Sequence, residues 1–393
     1  MTEDQKIKQV ITSSKGYADY NPVGQNAGKT EGPLGLVQLP GSVEFTDKVN
    51  NHLYERRLAY LQDSFSPVDI EKGTLRDNYI IPAKAVRFAS GEGKGEIYSS
   101  VRGHDLFIIA DVMNHSVHYK MFGMEVPMGP DDHFQDLVRM ILAATGKAKR
   151  INVIMPFLYE SRQHVRTSRE SLDCAYMLKE LSSLGVDNII TFDPHDPRVE
   201  NALPTKSLEN IPTSFSLIEA FLNNYPDVKL EGEDALMVVS PDELGMKRAT
   251  FYASIMEVPL GTFYRQRDFA SGSGHVRQAP FIDYKFLGES PEGRDVVIID
   301  DMIITGTTIV ETAKRLKAMK ANRVFVLAPF PLMVHGIDAL QNAYDEGIVD
   351  RVFSTNLVYR RPELVAAPWY VDVDMTYFVA LLIDAINHNS SIS

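Results

Sequence analysis

The sequence predicts an α/β protein made of two tandem domains, each a mostly parallel sheet flanked by helices. Short apolar, β-branched runs alternate with amphipathic stretches along nearly the whole chain, and the connections are short. That is the pattern of parallel strands joined by helices. The alternation runs through the same scheme twice, on either side of residues 200–212, where Pro204 and Pro212 stand. At 393 residues, the chain also exceeds what one ordinary hydrophobic core organises.

Residues 1–34 are rich in Gly, Asn, Lys and Thr and lack apolar periodicity, so an N-terminal extension is expected there. GLVQLP reads as a first strand and SVEFTDKVNNHLYERRLAYL as a helix. AKAVRFASGEGKGEIYSSV and HDLFIIADV have strand spacing. DDHFQDLVRMILAATGKA opens on acids and stops at Gly146, as a helix does. INVIMPFL is a buried strand, SRESLDCAYMLKELSSLG a helix ending at Gly185, and DNIITFDPH another strand. The first domain is expected over residues 35–205 and the second over 206–393. In the second, residues 213–224 form a helix, ALMVVSPDE a strand and MKRATFYASIM a helix. PLGTFYRQRDF is a strand leading into the Gly/Ser loop ASGSGHVRQAP. VVII, RVFVLAPF and RVFSTNLV are strands, with helices at IVETAKRLKAMK and around GIDALQNAYDEG. The last helix, MTYFVALLIDAINH, is free to pack on either half.

Composition excludes several classes. With 44% hydrophobic and 23% charged residues the chain reads as a soluble globular protein. No apolar run reaches membrane-spanning length, and the polar start MTEDQKIKQV is no signal peptide, so no membrane partner is expected. The single cysteine, Cys174, lies in a helical pattern and rules out both an intramolecular disulfide framework and a multi-cysteine metal site. Together these point to the cytoplasm. A net charge of −12 argues against nucleic acid as a partner. Anionic substrates must then meet local basic clusters or Mg²⁺.

The chemistry concentrates in VVIIDDMIITGTT, residues 296–308. A buried strand runs into Asp300 and Asp301, and Thr305, Gly306, Thr307 and Thr308 then open a helix. Loop N–H groups and a helix N-terminus present unsatisfied donors to a phosphate, and the threonine hydroxyls add more. The paired carboxylates accept hydrogen bonds from two vicinal ribose hydroxyls or hold Mg²⁺. Adjacent acids behind an apolar strand repel one another and need such a partner. The segment therefore reads as a grip on both ends of a pentose phosphate, and it resembles the phosphoribosyl-pyrophosphate loop of phosphoribosyltransferases and phosphoribosyl-pyrophosphate synthetases.

Other clusters suit phosphoryl transfer, which depends on positioning and charge neutralisation. Arg162 and Gln163 follow the strand INVIMPFL, with Arg166 and Arg169 close behind. Ligands of parallel sheets lie beyond such strand ends. His195 ends NIITFDPH between Asp193 and Asp196, and Asp242 ends MVVSPD; both are candidate Mg²⁺ contacts. Arg265 and Arg267 precede the Gly/Ser loop, where cations can close over a reacting phosphorus.

In this order the motifs resemble the ribose-phosphate pyrophosphokinase family from about residue 35 to 380. RFASGE at 87–92 is similar to its adenine-contacting RFSDGE, which implies that Phe88 stacks on the base and Glu92 hydrogen-bonds it, across a dimer interface. Arg162-Gln163 match its RQD, with His164 in place of the aspartate. His195 matches its metal-binding histidine, Ser240-Pro241-Asp242 its SPD with Arg248 downstream, and Thr355-Asn356 its TN pair. The resemblance implies two tandem phosphoribosyltransferase-like domains, ATP on the first and sugar phosphate on the second. It also implies transfer of a diphosphoryl group from Mg·ATP to ribose 5-phosphate, and a homodimer or higher homo-oligomer. His195 and Asp242 would help to place Mg²⁺, and Arg265 and Arg267 would stabilise transition-state charge. Two departures stand out. Arg265-Gln266-Arg267 replaces the usual Lys-Arg-Arg, and ITGTT replaces DTGGT. They leave open the same chemistry on another acceptor, such as ADP-ribose, or a nucleotide-binding regulatory subunit with weak catalysis.

Overall fold

A computed structural model of the protein describes residues 5–7, 30–62, 75–267 and 281–390. They form two compact units. The first unit extends to Thr213 and also takes in Asn356–Tyr359 and the chain from Asp374 onward, and the second comprises Ser214–Thr355, Arg360–Val373 and residues 5–7.

In the first unit, strand β1 (Leu34–Gln38) leads to helix α1 (Val43–Gln62) and to a hairpin of β2 (Ala83–Arg87) and β3 (Gly93–Ile97). After β4 (Asp105–Ile109) comes a second hairpin, β5 (His118–Met121) and β6 (Met124–Pro127), and then α2 (Pro130–Ala144). β7 (Arg150–Ile154), α3 (Asp173–Ser183), β8 (Asn188–Phe192) and β9 (Ser207–Ile211) complete the run. Five of these strands pair in parallel in the order β1-β4-β7-β8-β9. Every residue of β4 is buried, as befits a strand covered on both faces. The expected helix at 168–185 begins only at Asp173, because Gln163 and Glu170 hold the preceding residues in a turn-rich loop.

The C-terminal helix (Thr376–Asn387) groups with this first unit, and buried polar pairing explains why. The side chain of Asp384 is fully buried, and it accepts hydrogen bonds from Arg57 Nε at 2.9 Å and Arg56 Nε at 3.2 Å. Asn387 donates to Asp105 Oδ2 at 2.9 Å, and Asp105 pairs with Arg150 at 2.6 Å. A buried charge without such partners would be costly.

The second unit opens with α4 (Ser214–Asn224), β10 (Met237–Ser240), α5 (Met246–Met256), β11 (Leu260–Arg267) and β12 (Phe281–Leu287). β13 (Val296–Ile299), β14 (Met302–Ile303), α6 (Thr307–Ala318), β15 (Val324–Leu327), β16 (Phe330–Pro331) and α7 (Asp338–Asp345) follow. β17 (Arg351–Thr355), α8 (Pro362–Val365) and β18 (Tyr370–Val373) end it. The seven-stranded sheet runs β12-β11-β10-β13-β15-β17-β18 and is parallel except for β12 on β11. Its core gathers β10, β13 and β15 with α6 and α7 around Ile298, Leu316, Val326, Leu340 and Trp369. From the neighbouring strands β10 and β13 the chain moves outward in opposite directions, to β11 and to β15. Such a switch point leaves a crevice beyond the carboxyl ends of the two strands. None of the described helices is long and apolar enough to cross a membrane.

Candidate active site

The switch point of the second unit carries the acid-bearing turns. Val239 pairs with Ile298 in parallel register, so Ser240-Pro241-Asp242 and Asp300-Asp301 emerge side by side from adjacent strands. All four residues of β13 are fully buried, and Asp301 itself is only 6% exposed. The Asp301 N–H donates to Asp300 Oδ1 at 2.9 Å, which turns the chain away from the sheet. Burial first, and then the charge of Asp301, push the Asp300 carboxyl above the ordinary carboxylate range, while Arg248 on α5 pulls it back. An acid pair that resists double ionisation is relieved by a cation or by hydroxyl donors.

Past the short strand β14, Thr305 Oγ1 and Thr307 Oγ1 lie 2.7 Å apart, and the Thr307 N–H points to Thr305 Oγ1 at 3.4 Å. Gly306, at φ +77°, is the cap residue of α6 and supplies no side chain to its first turn. A Cβ there would meet Leu340 Cγ at 3.2 Å, so the loop presses on α7 and accepts only glycine easily. Thr307 and Thr308 already belong to the helix and are exposed. Their N–H groups and hydroxyls, with the helix dipole behind them, form an anion cradle. Asp242 has a local task as well, since its Oδ1 accepts from the N–H of Leu244 at 3.0 Å and of Gly245 at 3.2 Å. That turn starts α5 and so positions Arg248.

The first unit presents its own cluster beyond the adjacent parallel strands β7 and β8. Arg162 is exposed, while the Gln163 side chain donates to the carbonyl of Ser171 at 2.9 Å and braces its own loop. His195 is exposed, and its ring centroid lies 5.4 Å from that of His164. His164 Nε2 in turn stands 3.4 Å from Asp196 Oδ2. Asp196 is held down to about 2, chiefly by its hydrogen-bonded partner Arg198. Asp193 sits at φ +37°, a strained angle for a non-glycine residue, and its carboxylate accepts from the Thr213 N–H at 2.9 Å. On the β2–β3 hairpin, Phe88 is exposed with Lys94 Nζ 5.8 Å from its ring centroid, and Glu92 accepts from Ser90 Oγ at 2.8 Å.

The two expected metal contacts, His195 and Asp242, belong to different units. Among the described residues, no group of three or more His, Cys, Asp and Glu converges on a metal position. Arg265 and Arg267 stand on β11, directly before residues 268–280, and the expected Gly/Ser loop lies outside the described residues. Thr355 and Asn356 serve the backbone: Thr355 Oγ1 donates to the Pro329 carbonyl at 2.7 Å, and Asn356 Oδ1 accepts from the Met375 N–H at 2.8 Å. The charge of Arg248 reaches Asp300 because β10, which leads to α5, pairs in parallel with β13. Arg87 is a further residue that the sequence did not single out. Its guanidinium pairs with the buried Asp136 at 2.9 Å and fixes the Phe88 hairpin to α2.

Fold and site define a protein of two phosphoribosyltransferase-type domains. The model of the N-terminal domain of ribose phosphate pyrophosphokinase matches residues 35–185, and that of the phosphoribosyl transferase domain matches residues 204–330. A ribose-phosphate pyrophosphokinase of Shewanella oneidensis is 29% identical over 310 residues, covering 78% of this chain and 88% of the relative. A provisionally named ribose-phosphate pyrophosphokinase 2 of Streptococcus agalactiae is 30% identical over 263 residues, covering 65% of this chain and 71% of the relative. In fold, the chain is similar to the crystal structure of phosphoribosylpyrophosphate synthetase from Mycobacterium smegmatis, with a TM-score of 0.69 at 22% identity over 91% of this chain and 99% of that one. The chain belongs to the ribose-phosphate pyrophosphokinase family, a family of transferase enzymes.

Proposed function

We propose that this protein transfers the β,γ-diphosphoryl group of Mg·ATP to the anomeric hydroxyl of ribose 5-phosphate, giving phosphoribosyl pyrophosphate and AMP. The observation that carries the proposal is the acid pair, Asp301 buried and Asp300 half-buried, with the threonine–glycine cradle at the switch point of the second unit. The cradle formed by Thr305, Gly306, Thr307 and Thr308 takes the 5-phosphate. Asp300 and Asp301 take the 2- and 3-hydroxyls, and the hydroxyl protons relieve the repulsion within the pair. The anomeric oxygen attacks the β-phosphorus and loses its proton to solvent. The bond from the β-phosphorus to the α,β-bridging oxygen breaks, and AMP leaves with that oxygen.

On the first unit, Phe88 and Glu92 receive the adenine, and Arg162 with Gln163 the phosphates. Mg²⁺ is commonly held by one or two carboxylates together with substrate phosphates and water, so it needs no closed protein cage. Asp242 and the acid pair suit that chemistry on the second unit, and His195 suits it on the first; the ion offsets phosphate charge. Arg265 and Arg267 are placed by sequence to neutralise the transferring group. We further propose a homo-oligomer, as the resemblance implies, in the cytoplasm, as the composition and the single cysteine suggest.

The test is AMP release from Mg·ATP with ribose 5-phosphate and ADP-ribose offered separately, with ³¹P NMR on the products. A diphosphate on the anomeric carbon of ribose 5-phosphate is expected, and Asp300→Asn with Asp301→Asn should abolish it while ATP still binds. Product only from ADP-ribose reassigns the acceptor. No AMP from either overturns the catalytic reading.

A further inference from the structure

Two hairpins of the first unit meet at their tips. The Phe122 N–H donates to the Ala89 carbonyl at 2.8 Å, and a Cβ on Gly91 would stand 2.6 Å from Met121 Sδ. The β5–β6 turn is therefore seated against the Phe88–Glu92 turn. Both are fixed from behind. Arg87 lies 4.9 Å from the Tyr119 ring centroid while pairing with Asp136, and the Tyr119 hydroxyl donates to Asp132 Oδ1 at 3.3 Å. Each hairpin is thus anchored to α2.

Phe122 and Gly123 are the two turn residues between the paired Met121 and Met124, at φ +49° and +79°. Two successive positive φ values make the mirror-image turn that favours Asn-Gly or Gly-Gly, and a bulky aromatic at its first position is strained. Within the chain the ring gains no burial in exchange: Phe122 is 75% exposed, Met124 60% and Phe88 47%. Strain that the surroundings enforce tends to mark function. Here it holds an exposed aromatic ring on the hairpin tip whose N–H donates to the Ala89 carbonyl, within the turn between Phe88 and Glu92.

We infer that Phe122 is a second aromatic contact for the nucleobase held at the Phe88–Glu92 turn. The two rings offer stacking surface to a flat heterocycle. The Glu92 carboxylate accepts from an exocyclic amino group, which selects adenine-type over oxo-substituted edges. The inference rests on the proposed binding of ATP by this turn.

The test uses the full chain carrying Phe122→Asn. Asparagine accepts positive φ, so the variant removes the ring while relaxing the turn, and its Tm should hold or rise. Calorimetric titration with Mg·ATP should show affinity reduced about three- to tenfold, the range of one aromatic stack, with affinity for inorganic tripolyphosphate unchanged. Phe122→Tyr should restore ATP binding. Unchanged ATP affinity in Phe122→Asn overturns the inference, and so does an equal loss of both ligands. A smaller species in sedimentation with ligand binding intact also overturns it, by assigning the ring to a contact between copies of the chain. Phe88→Ala separates the two possible failures. If it also leaves ATP binding intact, the base does not bind at this turn and the underlying reading fails. If it weakens ATP while Phe122→Asn does not, only the present inference fails.

Discussion

Replacing Gly306 by alanine tests whether the loop at the head of α6 is held by geometry that only glycine permits. The residue sits at φ +77°, and a Cβ would stand 3.2 Å from Leu340 Cγ and 3.5 Å from Leu340 Cδ1. The left-handed conformation costs an L-residue roughly 1–2 kcal/mol. Alanine recovers about 0.4–1 kcal/mol by restricting the unfolded chain. Backbone terms alone therefore leave a loss of about 1 kcal/mol. Leu340 is buried in the core and cannot retreat freely, which adds roughly another 1 kcal/mol of overpacking. Gly293 provides a matched control, since it has φ +78° with nothing within 4 Å of a built Cβ. Differential scanning calorimetry should show Gly306→Ala lowering Tm about twice as far as Gly293→Ala. Titration with ribose 5-phosphate should show weaker binding only for Gly306→Ala, because Thr305 to Thr308 shift with the loop. Equal Tm losses for the two variants, with sugar-phosphate affinity intact, would refute the reasoning.

The raised Asp300 carboxyl predicts a pH signature. In the interval between its unfolded and folded pKa values the native state holds the extra proton, so stability declines as pH rises through that interval. Asp300→Asn should therefore match wild type in acid and melt above it at mildly alkaline pH, by thermal denaturation; a lead that shrinks with rising pH contradicts the assignment. Arg57→Ala removes one of the two arginines from the buried Asp384 and should cost about 3 kcal/mol in chemical denaturation, with a loss below ~1 kcal/mol refuting the role given to the pair. Arg198→Gln should let the Asp196 carboxyl titrate nearer the ordinary carboxylate range by NMR, with only a small loss of Tm at neutral pH that vanishes in acid, because Arg198 is exposed and its pairing is screened. A titration left near 2 would show that another group holds Asp196 down.

What could be read in advance depended on how local the determining interactions are. Val296 to Ile299 announce a doubly covered strand by composition, and the acids and threonines that follow announce the turn and helix start of the candidate site. Phe122-Gly123 hides its hairpin because an aromatic occupies a position where asparagine or glycine gives the usual signal. SLENI, at β9, looks like a polar linker between two prolines, and it becomes a strand by pairing with β8 at the sheet edge. The influence of the Arg248 charge on Asp300 follows from the order β11-β10-β13-β15, which no local pattern records. The C-terminal helix is strongly apolar and suits either half. Asp384 and its two arginines, far apart in sequence, decide its place.

That helix has a consequence for biosynthesis. Chains emerge from the ribosome N-terminus first, and domains ordinarily fold as they appear. Here the unit built mainly from residues 30–213 is completed only by residues 374–390, because Arg57 and Asp105 find Asp384 and Asn387 there. The second unit can close its sheet at β18 while the first still waits for its final helix. A premature stop just ahead of Thr376 would thus spare the threonine–glycine loop at the head of α6 and damage the half of the enzyme whose strands are made earlier.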